Sequence, residues 1–180
     1  QYTFPDCFDW GWYFRSGIIQ MKSRILLVTN GYPEAWSSVE YSAWIAKTFS
    51  KPLTLLGIVE ESDTEHPVQE IFGRAVTFFR EEGIEYDLQL VNGKSEDVLR
   101  EMEWGDDQIL FIGPLGRTNF QHLLTGRSFR QIFEDVDVPI VYIREASLPI
   151  KKILLCMGGL GHARLASKYA TWIAAEAQAE

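Results

Sequence analysis

Short apolar runs of strand length recur along this chain, and between them lie segments whose apolar residues return every three or four positions. The runs cover residues 24–29 (Arg-Ile-Leu-Leu-Val-Thr), 52–59, 86–91, 108–112 and 138–143 (from Val138 to Ile143). After the first run comes a helical pattern over 35–49, with Trp36, Val39, Ala43, Ala46 and Phe49 on one face. After the second, Pro67 opens a helix that Gly83 closes, with the stripe Val68, Ile71, Ala75 and Phe79. Ser95 is placed to cap a third helix, with Glu96 and Asp97 in its first turn. A fourth runs over about 128–135, before the strand that Pro139 marks as an edge or a strand entry. Strand and helix in alternation specify an α/β fold, with a mainly parallel sheet and right-handed crossovers. In such sheets ligands sit at the carboxyl ends of strands, where strand order reverses.

One such end is unusually rich in glycine. The run Ile109-Leu110-Phe111-Ile112 has the composition of a strand buried on both faces and stops at Gly113. Gly116 follows, and nine residues later Gly126 precedes a helix start at Ser128. Strand, glycine loop and helix start together aim backbone N–H groups and about half a positive charge at an anion. Two turns and a helix start without a ligand would read the same way locally. Gly93-Lys94-Ser95 resembles the end of a P-loop, but that motif needs a glycine five residues earlier, where Leu88 stands.

The net charge of −8 disfavours nucleic acid and anionic membranes as partners. No apolar run approaches the ~20 residues of a membrane span. Cys7 and Cys156 lie far apart, which suits a reducing compartment better than a disulfide framework. His66, His122 and His162 form no metal-ligand spacing, and no Gly-x-Ser-x-Gly elbow is present. The cytoplasm is the expected location.

The end of the chain repeats its beginning. Residues 152–174 align without a gap on residues 24–46 at an offset of 128, with nine of 23 positions identical. Tyr169-Ala-Thr-Trp-Ile-Ala repeats Tyr41-Ser-Ala-Trp-Ile-Ala. Chance would match one or two, so this is an internal duplication. A second strand (152–157) and helix are expected there, the start of a second, truncated copy over 150–180, and the chain reads as a fragment of a two-domain protein. Residues 1–20 differ in kind: seven are aromatic and follow neither a 2-residue nor a 3.6-residue period. They read as a leader, linker or foreign segment before Met21, with an aromatic docking arm as the alternative.

Taken together, residues 23–145 resemble the universal stress protein family. Gly113, Gly116 and Gly126 stand at the spacing of its nucleotide-binding motif, Val138-Pro-Ile-Val-Tyr follows as in the family, and Val91-Asn-Gly with Ser95 resembles its third-strand exit. The resemblance implies one domain over 21–146, a five-stranded parallel sheet in the order 3-2-1-4-5 and helices on both faces. It implies an ATP or AMP site, with Mg2+ a possible companion. The base would lie near Thr29, Asn30, Gly31 and Val59, and the phosphates over Gly113, Gly116, Arg117, Gly126, Arg127 and Ser128. Asn30 takes the place of the family's acid and can both donate and accept. Arg127 takes the place of its hydroxyl, either as a charged phosphate contact or as the mark of a disused site. In the second copy the acid position falls at Gly158.

The implied role is a stress-response or signalling module that acts by binding rather than turnover, in a pair with a second such domain or a homodimer through the fifth strand. The alternative is a ligand-free member that only dimerises. Met157-Gly-Gly-Leu-Gly-His162 faintly resembles an ATP pyrophosphatase loop, but lacks the serines and aspartate that grip pyrophosphate.

Overall fold

The computed structural model describes residues 25–59, 68–105, 108–113, 136, 138–156 and 163–180. Five strands, β1 (Ile25–Thr29), β2 (Leu53–Val59), β3 (Tyr86–Asn92), β4 (Ile109–Ile112) and β5 (Ile140–Tyr142), form one sheet. Their order is β3-β2-β1-β4-β5, and every neighbouring pair is parallel. A 3-10 turn (Pro33–Ala35) leads into α1 (Trp36–Phe49); α2 (Val68–Glu81), α3 (Ser95–Glu101) and α4 (Ala163–Ala177) complete the described elements. The expected α/β architecture and strand order are both present.

The alternating side chains of β1 and β4 serve two cores. Ile25, Leu27, Ile109 and Phe111 join the face covered by α1 and α2. Leu26, Val28, Leu110 and Ile112 join the opposite face with Val98, Leu99 and Met102, of which Val98 and Leu99 lie in α3. All four β4 residues are buried, as a continuous apolar run requires. Gly57 lets α2 cross close to β2: a Cβ there would come within 2.5 Å of Val68 Cγ1 and 2.8 Å of Phe72. Gly83 ends α2 at φ 67°, with Ile84 N–H donating to the Phe79 carbonyl at 2.8 Å.

Several local expectations shift. The stripe of α1 is wider than its apolar spacing indicates, because Ser38 and Ser42 are buried by donating to the carbonyls of Ala35 and Val39. Trp36 and Phe49 at its two ends are only partly buried. Ser95 is not the cap of α3 but its first residue; Lys94 takes the cap position and makes no side-chain cap bond. The fifth strand is shorter than 138–143: Ile140, Val141 and Tyr142 pair in register with Leu110, Phe111 and Ile112, and the residues flanking them add one bond each, Leu110 N–H donating to the Pro139 carbonyl and Ile143 N–H to that of Ile112. The helix expected over 128–135 lies outside the described residues, as do residues 1–24.

The repeated segment is half as expected. Its helix, α4, forms and packs Tyr169, Trp172 and Ile173 on the first core, with the Trp172 ring 3.8 Å from that of Phe49. Its strand does not form: residues 151–156 have no regular structure, and Leu154 is 89% exposed. A strand exists only by pairing, and among the described residues this segment has one partner residue: Ile153 N–H donates to the Glu180 carbonyl at 2.8 Å, and Glu180 N–H to that of Lys151 at 3.0 Å.

Candidate functional site

The carboxyl ends of β1 and β4 meet where the chain turns back on itself in both directions. Val28 pairs with Ile112, so Thr29, the last residue of β1 and paired with Gly57 on its other side, stands beside Gly113, and Asn30 follows. This is the switch point at which sheets of this order bind ligands.

Each described residue of the expected site has a distinct part there. Thr29 is fully buried, and its hydroxyl accepts the Gly31 N–H at 3.2 Å. It therefore builds the turn, and Gly31 at φ 94° completes it in a conformation that few other residues adopt. Val59 pairs with Asn92, and its carbonyl accepts the Gly93 N–H at 3.1 Å. The exit of β3 thus already occupies that oxygen. Gly113 is dictated by packing: a Cβ there would lie 2.6 Å from Ser38 Oγ and 3.4 Å from Ala35 Cα. The first turn of α1 rests on it, so glycine is needed at this position with or without a ligand.

Asn30 is different. It is 3% exposed, yet among the described residues its Oδ1 has no hydrogen-bond partner. Leaving a buried acceptor unmet costs about 1–3 kcal/mol, and native folds seldom tolerate it without cause. The orphan sits at the exit of β1, and a ligand N–H or O–H is the kind of group that would complete it. Gly116, Arg117, Gly126, Arg127 and Ser128 lie outside the described residues.

Sequence reasoning missed Ser38, whose Oγ donates to the Ala35 carbonyl at 2.6 Å beneath Gly113. A serine four residues before another on a helix, Ser38 and Ser42, was the available signal for close helix–strand contact. It also missed an open cleft of about 480 Å3 beside the exit of β5, lined by Tyr41, Val141, Tyr142, Ile143, Arg144 and Glu145. Burial raises the Tyr41 hydroxyl above its ordinary pKa. It raises that of Tyr142 too, against the opposing pull of the Arg144 guanidinium. Among the described residues no group of three His, Cys, Asp or Glu could hold a metal. No described helix is long and apolar enough to cross a membrane.

The sequence matches no protein-family model and no curated protein. The fold does find counterparts among solved structures, universal stress proteins among them. One, solved in complex with cAMP, superposes with a TM-score of 0.51 at 16% identity, over 69% of this chain and 99% of its own. The Archaeoglobus fulgidus protein in complex with dAMP gives 0.47 at 17% identity, over 68% and 99%. Another Archaeoglobus fulgidus structure gives 0.45 at 20% identity, over 66% and 97%. The chain therefore has the α/β fold of the universal stress proteins and spans nearly the whole length of these structures.

Proposed function

We propose that this chain is a nucleotide-binding stress-response or signalling module, taking ATP or AMP at the joint exit of β1 and β4. The observation that carries the reading is the buried, unpartnered Oδ1 of Asn30 at that exit. The glycine spacing Gly113, Gly116, Gly126 supports it, as does the shared fold with a universal stress protein solved with cAMP. The base lies against Asn30, Gly31 and Val59, and the phosphates over the loop from Gly113 to Ser128, with Arg117 and Arg127 supplying charge. Mg2+ accompanies ATP through phosphate oxygens, for which the described residues offer no carboxylate cluster. The protein acts by conformation and contact, in the cytoplasm, rather than by turnover. Residues 21–146 form its domain, and 150–180 begin a second copy.

The test is binding of labelled ATP, AMP and cAMP, with and without magnesium. Asn30→Ala removes an unmet acceptor, so it should weaken binding at least tenfold while leaving the melting temperature unchanged or higher. Gly126→Val should abolish binding by filling the phosphate approach. Arg127→Ala should cost about tenfold or more, since a charge-assisted bond is worth roughly 1.5–3 kcal/mol. Unchanged affinity in all three variants would move the site elsewhere.

A second reading has its own observation. The cleft lies not at Asn30 but along β5, whose three residues are all half-buried. That edge suits pairing with another domain or copy, and a member without ligand would retain it. Absence of nucleotide binding together with a Val141→Lys variant that lowers the oligomeric mass would favour this reading.

A further inference from the structure

Of the three asparagines in the chain, two stand directly before a glycine, Asn30 and Asn92. In an Asn-Gly pair the glycine nitrogen can attack the side-chain carboxamide that precedes it, because no Cβ shields that nitrogen. Both pairs lie at carboxyl ends of strands, Asn30 just after β1 and Asn92 as the last residue of β3. In both the glycine N–H is engaged. Gly31 N–H donates to the Thr29 hydroxyl at 3.2 Å, and Gly93 N–H to the Val59 carbonyl at 3.1 Å. Their surroundings divide them. Asn30 is 3% exposed, and Gly31 is buried with it. Asn92, Gly93 and Lys94 are all exposed, at the exit of the strand that ends the sheet order.

We propose that Asn92-Gly93 is a site of spontaneous covalent modification, converting to aspartate and isoaspartate through a succinimide, and that the fold protects the matching pair Asn30-Gly31. In the first step the Gly93 nitrogen gives up its proton and bonds to Asn92 Cγ. The Cγ–Nδ2 bond breaks, and the amide nitrogen leaves as ammonia with that proton. Water then opens the five-membered ring. Cleavage between Cγ and the ring nitrogen yields aspartate. Cleavage between the Asn92 main-chain carbonyl carbon and that nitrogen yields isoaspartate, whose main chain runs through Cβ and Cγ. One water is consumed, one ammonia is released, and nothing is oxidised or reduced. The path passes through charge, first on the glycine nitrogen and then on an oxyanion at Cγ, and an unsolvated charge is costly. Solvent reaches Asn92 and Gly93 to meet that charge, whereas burial withholds it from Asn30 and Gly31. Isoaspartate inserts one carbon into the main chain ahead of Gly93, so the Gly93 N–H no longer meets the Val59 carbonyl.

The experiment incubates the full 180-residue chain at physiological temperature in mildly alkaline buffer, native and in guanidinium chloride, and maps its peptides by mass spectrometry. In the native chain the Asn92 peptide should gain the mass of an amide-to-acid change and split into two isomers, one of them labelled by an isoaspartyl methyltransferase. The Asn30 peptide should convert more than about tenfold more slowly, because its charged steps go unsolvated. In the denaturant the two should convert at similar rates, since glycine follows both. Asn92→Gln, whose longer side chain must close a six-membered ring, should give no isoaspartate at that position and an unchanged melting temperature. Conversion of Asn92 should also cost the Gly93 amide its protection from hydrogen exchange, while the amides of β1 keep theirs. Native conversion of Asn30 as fast as Asn92, an Asn92 that converts in denaturant but not in the native chain, or a difference between the two that persists in denaturant overturns the proposal.

Discussion

Residues 25–50 and 153–178 are near-repeats with different outcomes. Both make a helix with the same Tyr-x-x-Trp-Ile face and the same left-handed residue after it, Ser50 and Gln178. Only the first makes a strand before it, and Leu26 is sealed at 0% exposure where its counterpart Leu154 stands at 89%. A helix satisfies its own backbone within one segment, whereas a strand is completed by others. The comparison teaches that a repeated sequence transmits helix structure faithfully, while a strand forms only where other strands pair with it.

The sharpest way to break the comparison is to make the same substitution in both places. Leu26→Lys buries an unpaired charge between β1 and the α3 face and should cost more than ~4 kcal/mol, enough to unfold most domains. Leu154→Lys should stay within about 0.5 kcal/mol in thermal denaturation. Equal losses would mean that residues 151–156 are packed after all.

A smaller effect is expected at the joint between the two helices. Trp172→Ala removes the ring against Phe49, a contact worth roughly 1–2 kcal/mol of ring pairing and burial. Amide exchange should accelerate about tenfold or more in α4 and stay unchanged in β1 and β4. Faster exchange throughout would show that α4 is integral to the first core rather than docked on it.

Smaller still, the two caps can be relieved. Ser50→Gly and Gln178→Gly place glycine at φ 49° and 52°, each favourable by about 0.4–1 kcal/mol. Ser50→Gly should raise the melting temperature of the domain, while Gln178→Gly should protect only the end of α4. A global stabilisation by the second would again join the two regions into one cooperative unit.

The smallest effect concerns pH. Burial holds the Tyr41 hydroxyl above its ordinary value of 10.0 in the folded chain. The fold therefore binds that proton more tightly than the unfolded chain, so stability is full below pH 10 and falls as pH rises past it. Tyr41→Phe should flatten that part of a stability profile measured from pH 9 to 11. An unchanged slope would show that this hydroxyl reaches solvent.

Much of this was legible in residue order alone. The α2 stripe of Val68, Ile71, Ala75 and Phe79 is buried as its period requires, and β4 is buried throughout. The strand order came with the family resemblance and the sheet has it. What period could not show was why particular residues are there. Gly113 reads as the first glycine of a phosphate loop, yet Ser38 at 2.6 Å from its would-be Cβ makes it a packing requirement first. Thr29 reads as a ligand contact, yet its hydroxyl accepts the Gly31 N–H and shapes the turn.

By itself, then, the sequence determined the helices, the alternation that makes an α/β fold and the 128-residue repeat, because these depend on neighbours along the chain. Tertiary structure alone decided three things. It left Asn30 buried with an oxygen that no described residue meets, trimmed the fifth strand to the three residues in register with β4, and withheld a strand from residues 151–156. In each case the deciding quantity is whether a polar group, on side chain or backbone, finds a partner from a distant part of the chain, and no local pattern encodes that.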